Sequence, residues 1–126
     1  MLKLKQYAKD TITNYQGIIT AYAIFASGEA TVEITKQTDS EIKTEWISEP
    51  RVCVIGGDEE EIVDLKKYLN KSFICKAAPE FYGTCTGAAQ YCTGYIRLEI
   101  TPEFLGKKNK KVIRQWFYVN ELRIKI

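Results

Sequence analysis

The chain has no histidine among its 126 residues, and it contains only three prolines, one methionine and four cysteines. Without imidazole, a serine-histidine triad and any metal site with histidine ligands are excluded. The cysteines form no CxxC pair and are too sparse for a disulfide scaffold. We therefore expect reduced, mostly buried thiols, no cofactor and no metal site, and we predict a nonenzymatic protein. The cysteines are Cys53, Cys75, Cys85 and Cys92.

Long apolar runs are also missing. No stretch approaches the roughly 18 apolar residues that a membrane-spanning helix needs. The N-terminal segment MLKLKQYAKD has no continuous apolar core and no small-residue cleavage site, which argues against a secretory signal. Hydrophobic residues make up 45% of the chain and charged residues 27%, as in soluble globular proteins. We expect a cytoplasmic protein with no membrane contact.

What the chain does contain is an internal repeat. GIITAYAIFASGEATVEIT at 17–35 is matched, 66 positions later, by GTCTGAAQYCTGYIRLEIT at 83–101. Beyond these segments the offset becomes 70, so that the second copy has a four-residue insertion. One offset over this length, followed by a matching tryptophan, indicates a duplication. The identical pairs include Gly17 and Gly83, Thr20 and Thr86, Gly28 and Gly94, Glu33 and Glu99, and Trp46 and Trp116.

Each copy has the pattern of five short strands, because β-branched and aromatic residues alternate with small or charged ones between turn signals. Gly28 and Gly94 are expected to take a positive φ in the central hairpin. Five strands in about fifty residues bury a core only if the sheet curls into a small barrel. The predicted strands are 8–12, 17–26, 29–35, 43–48 and 51–55, and then 73–77, 83–92, 95–101, 112–119 and 122–126.

The segment between the copies differs in kind. GGDEEEIVDLKKYLNKS at 56–72 begins with acidic residues and ends with lysines, which suits the two ends of a helix dipole. Ile62, Leu65 and Leu69 recur at helical spacing. The predicted fold is therefore mainly β, with a first barrel over 1–56, a connecting amphipathic α-helix over 57–72 and a second barrel over 73–126.

The repeated motif resembles small bacteriophage and prophage proteins that have Src-homology-3-like barrels of the KOW type. The resemblance implies a barrel fold, a viral origin and action in the host cytoplasm. Most such proteins have one unit, and the second copy matches them more closely; an extra position before Gly17 and the acidic segment 58–71 depart from their pattern. The matching residues are Tyr15, Gly17, Thr20, Ala21, Gly28 and Trp46, and then Tyr82, Gly83, Thr86, Gly87, Gly94, Pro102, Trp116 and Leu122.

Positive charge is concentrated in the second copy. Residues 73–126 carry nine basic and four acidic side chains, although the whole chain has a net charge of only +2. Much of the excess lies in the inserted loop GKKNKKVIR at 106–114, which is either an anion-binding loop or a solvated hairpin tip. The candidate binding residues of this loop are Lys107, Lys108, Lys110, Lys111 and Arg114.

Aromatic residues offer a second candidate surface. Tyr15, Tyr22, Tyr82 and Tyr118 exceed what a small core needs, and tyrosine favours interfaces. Of these, Tyr82 and Tyr118 are the predicted binding residues. The two tryptophans, by contrast, are expected to fill the barrel interior or pack on its rim. Glu33 and Glu99 are expected to be solvated carboxylates on the outer faces of their strands.

Three functional hypotheses follow. The first is a nonenzymatic phage or prophage protein that inhibits a host bacterial defence protein by direct contact. The second is nucleic-acid binding through the basic loop, with strong salt dependence. The third is a sponge that sequesters a small nucleotide signal in a pocket between the copies, where tyrosines stack on a base and Arg97 or Arg114 meets a phosphate. Two copies in one chain can also imitate a two-fold dimer. Association of whole chains into a homo-oligomer is a further alternative.

Overall fold

A computed structural model describes residues 2–103 and 114–125 of the chain. The prediction of a mainly β protein is confirmed, because ten strands carry the fold. Short three-ten turns span Glu49–Arg51, Leu65–Tyr68 and Val119–Glu121. The strands are β1 (Leu4–Asp10), β2 (Gln16–Phe25), β3 (Ala30–Gln37), β4 (Ile42–Ser48), β5 (Val52–Glu60), β6 (Ser72–Cys75), β7 (Tyr82–Tyr91), β8 (Ile96–Pro102), β9 (Gln115–Tyr118) and β10 (Leu122–Ile124).

Both copies of the repeat fold with the same strand order. In the first, the antiparallel pairs run β5-β1-β2-β3-β4, and in the second they run β10-β6-β7-β8-β9. A three-ten turn precedes the fifth strand of each copy. The repeated sequence therefore specifies a repeated arrangement of strands, here called the first and second repeat.

The two repeats share one ten-stranded antiparallel sheet, joined through β2 and β7. One edge of β2 pairs first with β1 and then, from Ala21 to Phe25, with β7. A register shift at Thr20 separates the two stretches, and Thr86 marks the equivalent shift in β7. The Thr20 carbonyl accepts a hydrogen bond of 2.8 Å from the Cys92 amide, so the bulge turns this group toward the other repeat.

The β2–β7 ladder lies on a pseudo-two-fold axis. Ala23 is directly opposite Ala89, the residue 66 positions later that occupies its own place in the second repeat. Phe25 is opposite Gly87, and Ala21 is opposite Tyr91, so these two pairs exchange under the same rotation. A single chain thus reproduces the isologous contact of a symmetric dimer.

Burial follows the two-residue alternation of the strands. Tyr22, Val32 and Ile47 are register partners across β2, β3 and β4, and all are buried. Ala88 and Leu98 hold the equivalent positions on β7 and β8, and Phe117 packs against them from β9. Because partners across a sheet share a face, this face is the core and the opposite face is left for other contacts.

The prediction of an amphipathic helix over 57–72 is wrong. β5 continues to Glu60, and the only helical turn described in this region is Leu65–Tyr68. The acidic residues pair with Lys5 of β1, whose Nζ lies 2.9 Å from Glu60, and with Lys3 just before this strand, whose Nζ lies 2.8 Å from Glu61. Strand pairing with β1 therefore overrides the helical pattern. Among the described residues, no helix is long and apolar enough to cross a membrane.

The buried Gln90 side chain fixes the connection that follows. Its amide nitrogen donates to the Glu61 carbonyl at 3.1 Å, and its amide oxygen accepts from the Val63 backbone at 2.8 Å. The apolar residues that suggested a helix still reach the core, since Leu65 is buried and Ile62 and Leu69 pack against it. The hydrophobic residues were identified correctly, but the backbone that carries them is irregular chain with one three-ten turn.

The repeated glycines have two different causes. Gly28 and Gly94 adopt φ values of 96° and 94°, which confirms the prediction for the hairpin turns. Gly17 and Gly83 instead lie where the backbone of β3 or β8 approaches closely. A Cβ on Gly83 would overlap the Thr101 carbonyl, and one on Gly17 would overlap the Thr35 carbonyl.

A buried ion pair anchors the end of β1. The Asp10 side chain is 1% exposed and accepts hydrogen bonds from Arg51 Nε at 3.1 Å and from the Ile12 backbone at 2.9 Å. Arg51 also contacts the second carboxylate oxygen, which accepts from Thr13 as well. These contacts, led by that of Arg51, lower the pKa of Asp10 to about 2.

We predict that Gly83→Ala destabilises the fold by about 1–3 kcal/mol, because the new methyl group must displace the backbone of β8. Gly56→Ala is the matched control, since nothing lies within 4 Å of a Cβ there. Its free energy of unfolding should change by no more than about 0.5 kcal/mol. Urea unfolding measures both variants, and equal effects would contradict the close-approach explanation.

We predict that Asp10 makes stability fall in acid. A lowered folded pKa means that the ionised carboxylate stabilises the fold fully above the ordinary pKa of 3.8 and loses this effect as the pH falls toward about 2. Asp10→Asn should therefore lower the urea midpoint at neutral pH and flatten its decline between roughly pH 5 and pH 2. Asp39→Asn, in the exposed turn before β4, should leave that decline unchanged.

Candidate functional site

Six strands that are neighbours in the sheet form a continuous surface on the side away from the core. Their order is β4-β3-β2-β7-β8-β9, with the pseudo-two-fold axis between β2 and β7. Ala23, Thr31 and Ser48 are register partners on one half of this surface. Ala89, Arg97 and Tyr118 hold the matching positions on the other half. We call this surface the outer face.

The outer face contains a cleft at the axis, with a volume of about 340 Å³. Small residues from β2 and β7 form its floor, and bulky aromatic residues from β2, β4, β7 and β9 form its walls. Every lining residue is paired with its own equivalent in the other repeat, so the cleft belongs to both repeats equally. The pairs are Ala23 and Ala89, Phe25 and Tyr91, Thr31 and Arg97, and Trp46 and Trp116. We call it the axial cleft.

The aromatic walls join the repeats as well as enclosing the cleft. The ring of Trp46 lies edge-on to that of Tyr91, with centroids 6.4 Å apart. Phe25 and Trp116 repeat this contact on the other side of the axis, at 6.1 Å. Each pair takes one ring from each repeat, and edge-to-face geometry is favourable for aromatic rings. The cleft is therefore held by the same contacts that hold the repeats together.

Arg97 is the one charged residue that lines the axial cleft within the described chain. Its Nε is buried and has no hydrogen-bond partner among the described residues. The guanidinium carbon lies 5.3 Å from the centroid of the Tyr118 ring, which orients it by a cation–π contact. A buried donor left unsatisfied costs about 1–3 kcal/mol.

Matching pairs of threonine and glutamate side chains lie outside the lining of the axial cleft, one pair in each repeat. Thr20 Oγ1 donates to Glu33 at 2.7 Å, and Thr86 Oγ1 donates to Glu99 at 2.8 Å. Both glutamates are half-buried, so the expectation of freely solvated carboxylates is wrong. Because these threonines occupy the two register shifts, the networks explain why the Thr and Glu positions recur in the repeat.

A larger cleft of about 730 Å³ lies on the first repeat alone. Its lining includes Tyr7, Asn14, Gln16, Ile18 and Lys36, a mixed set with one aromatic ring. The axial cleft is smaller, but it combines four aromatic walls with an unpartnered cationic donor. Convergent aromatic and polar groups are the usual composition of a ligand site, so we take the axial cleft as the candidate.

The described residues contain no group of three potential metal ligands. All four cysteines are free, but only Cys75 and Cys85 are fully buried; Cys53 is exposed and Cys92 is half-buried. Burial raises the pKa of the Cys85 thiol to about 11, which keeps it protonated. Its Sγ donates to the Gly87 carbonyl at 3.2 Å.

The predicted basic site lies mostly outside the described residues. Lys107, Lys108, Lys110 and Lys111 fall in the segment 104–113, so their role in binding stays a prediction. Arg114 is described and exposed, just before β9. It borders a separate cleft of about 390 Å³, together with Glu99, Thr86 and residues of the first hairpin turn. Arg114 and Arg97 thus line different clefts.

The predicted tyrosines do not form one surface. Tyr82 begins β7 and carries Lys125 Nζ 3.9 Å from its ring centroid, whereas Tyr118 ends β9, is 42% exposed and lies 5.2 Å from the Tyr95 ring. Tyr118 is in register with Arg97, which is in register with Ala89. Ala89 lies seven positions along β7 from Tyr82, which corresponds to roughly 23 Å between the two tyrosine positions. Tyr22 is buried in the core, and Tyr15 donates to the Lys43 carbonyl at 2.9 Å.

The tryptophans are the functional candidates that the sequence reading missed. Trp46 is 45% exposed and lies in the axial cleft, so it does not fill a barrel interior. Strand alternation contains the missing signal, because Ile47 is the core residue of β4 and Trp46 must face the other way. Phe25 and Tyr91 then follow from the repeat, since they are equivalent residues at the ends of β2 and β7.

Comparisons with known proteins add no constraint to this picture. No family model, curated protein or solved structure matches the chain. The geometry of the axial cleft therefore carries the functional argument.

We predict that Trp46 and Tyr91 are energetically coupled across the axis. A double-mutant cycle with Trp46→Ala and Tyr91→Ala should give a coupling of about 0.5–1.5 kcal/mol in urea unfolding, the usual value of an edge-to-face pair. The control cycle combines Trp46→Ala with Tyr82→Ala, because Tyr82 lies at the other end of β7, about 30 Å from Tyr91. That cycle should be additive within about 0.3–0.5 kcal/mol. Additivity in both cycles would refute the coupling.

Proposed function

We propose that the chain is a nonenzymatic binding protein that sequesters a small nucleotide in the axial cleft. The observation that carries this proposal is the combination of four aromatic walls with a single cationic residue, Arg97, in the lining of one cavity. A nucleotide supplies what both features lack, namely a planar ring for the walls and an anionic acceptor for the guanidinium. Sequestration needs only these contacts and no reacting group.

The dimensions and position of the cleft support a small ligand. A volume of about 340 Å³ lies near the lower end of the range of roughly 300–1,000 Å³ for small-molecule sites. Ala23 and Ala89 are almost fully buried, so the floor is flat and apolar where a base would lie. The walls stand on paired strands that are held by edge-to-face contacts, which limits the conformational entropy lost on binding.

The resemblance to phage proteins gives this activity a setting. We propose that each repeat is a Src-homology-3-like barrel, which is supported by the five-strand order and by the three-ten turn before the fifth strand. A phage or prophage protein of this kind acts in the host cytoplasm. There, sequestering a nucleotide signal is one way to inhibit a bacterial defence system.

Direct inhibition of a host bacterial protein is the second candidate function. The observation that favours it is the exposure of aromatic rings on or beside the outer face, with Trp46 at 45%, Tyr118 at 42% and Tyr95 at 57%. Tryptophan, tyrosine and arginine dominate the energetics of protein interfaces. In this case a side chain of the partner would occupy the cleft, and Tyr95 and Tyr118 would contact the surrounding surface.

We predict that at least one compound in a set of nucleoside monophosphates, cyclic mononucleotides and cyclic dinucleotides raises the melting temperature of the purified chain. Trp46→Ala should weaken the affinity of the chain for that compound about 5–150-fold, because stacking a base on an aromatic ring contributes about 1–3 kcal/mol. Tyr82→Ala is the control, since this ring lies outside the cleft, and it should leave the affinity unchanged. Isothermal titration calorimetry measures each constant.

One result would overturn this assignment, and two further results would each indicate a different replacement. Absence of binding by every compound in the set refutes nucleotide sequestration. If, in addition, the tagged chain retains a stoichiometric bacterial protein at high salt and after nuclease treatment, and Tyr118→Ala releases it, the inhibitor of a host protein replaces the sponge. Recovery of nucleic acid alone, lost at high salt, would instead return the basic loop to first place.

A further inference from the structure

We infer that the axial cleft has a single anion-binding position, at Arg97, and therefore selects a nucleotide with one phosphate group over a two-fold-symmetric cyclic dinucleotide. This inference rests on the proposed function and specifies its ligand. It depends on a comparison between the two halves of a cleft that the fold itself makes nearly symmetric.

The two halves differ in charge at one lining position. Arg97 on β8 is opposite Ala89, and its equivalent on β3, Thr31, is opposite Ala23. A symmetric ligand with two phosphates would place one of them beside Arg97 and the other beside Thr31. Threonine offers a neutral hydroxyl, whereas guanidinium offers charge-assisted hydrogen bonds that are about twice as strong.

Nearby acidic residues strengthen the asymmetry. Glu33 and Glu99 lie two residues beyond Thr31 and Arg97 on the same face of their strands. Their carboxylates are fixed by Thr20 and Thr86, so both halves carry a negative charge beside the lining position. In the second half Arg97 offsets that charge, but in the first half nothing on the lining of the cleft does. A second phosphate would therefore meet repulsion near Thr31.

Arg97 is also prepared to receive an anion. Its stacking against Tyr118 orients the guanidinium, and the buried Nε is left with a donor for which the described residues give no acceptor. The aromatic walls also differ between the halves, since Tyr91 carries a hydroxyl that its equivalent Phe25 lacks.

The test compares three ligands on three proteins by isothermal titration calorimetry. The ligands are adenosine, adenosine monophosphate and cyclic diadenosine monophosphate, with the corresponding guanine set as a second series. The proteins are the unmodified chain, Arg97→Gln and Thr31→Arg. Arg123→Gln is the matched control, because Arg123 is exposed on β10 and lies outside the cleft.

We expect the unmodified chain to bind the monophosphate at least tenfold more tightly than the nucleoside, and more tightly than the cyclic dinucleotide. Arg97→Gln should abolish the preference for the phosphate over the nucleoside, whereas Arg123→Gln should preserve it. Thr31→Arg, which makes the two halves alike in charge, should strengthen binding of the cyclic dinucleotide relative to the nucleoside at least tenfold.

The outcomes separate this inference from the proposed function. Equal binding of nucleoside and monophosphate would leave the stacking site intact and overturn the single anion position. Equal or tighter binding of the cyclic dinucleotide to the unmodified chain would also overturn it. If no nucleoside or nucleotide of either series binds, and no other compound of the wider nucleotide set does, the proposed function fails and the inference fails with it.

Discussion

The pairing of β2 with β7 is the contact on which the rest of the molecule depends. Five register pairs centred on Ala23 and Ala89 merge two strand sets into one sheet. The same ladder divides its two faces into a core and an outer surface. The axial cleft lies across it, because its floor is the ladder and its walls are rings that reach over from each side. A change that weakened this pairing would affect fold, cleft and contact between repeats together.

Much of the fold could be predicted from the sequence, because its signals are local. The repeat offset, the β-branched alternation and the hairpin glycines predicted eight of the ten strands to within a few residues. The exceptions are β1, which begins at Leu4 rather than near residue 8, and β5, which continues to Glu60. The segment after Gly57 was misread since its charges fit a helix dipole equally well. Its conformation depends on ion pairs with Lys3 and Lys5, which are distant in the sequence. No local sequence pattern indicates such a pairing.

The site was harder to predict for a related reason. A tryptophan in a strand is consistent with either face, and the register between β2 and β7 decides which rings meet across the axis. The sequence hypothesis of a pocket between the copies named Arg97, which does line the axial cleft. It relied on tyrosines that lie elsewhere, however, because Tyr22 is in the core and Tyr82 is at the far end of β7. Among the tyrosines, only Tyr91 lines the axial cleft, and the sequence hypothesis did not name it as a binding residue.

Fusion of the two halves has a consequence for how such a protein behaves when it is scarce. A pocket between separate subunits disappears on dilution below their dissociation constant. Here the second half is always present at the effective concentration set by the short connection between β5 and β6, which contains Leu65 and is held by Gln90. The first molecule made in a cell therefore has a complete pocket. Fusion also lets one half accept a substitution without forcing it on the other, which is how Thr31 and Arg97 can differ.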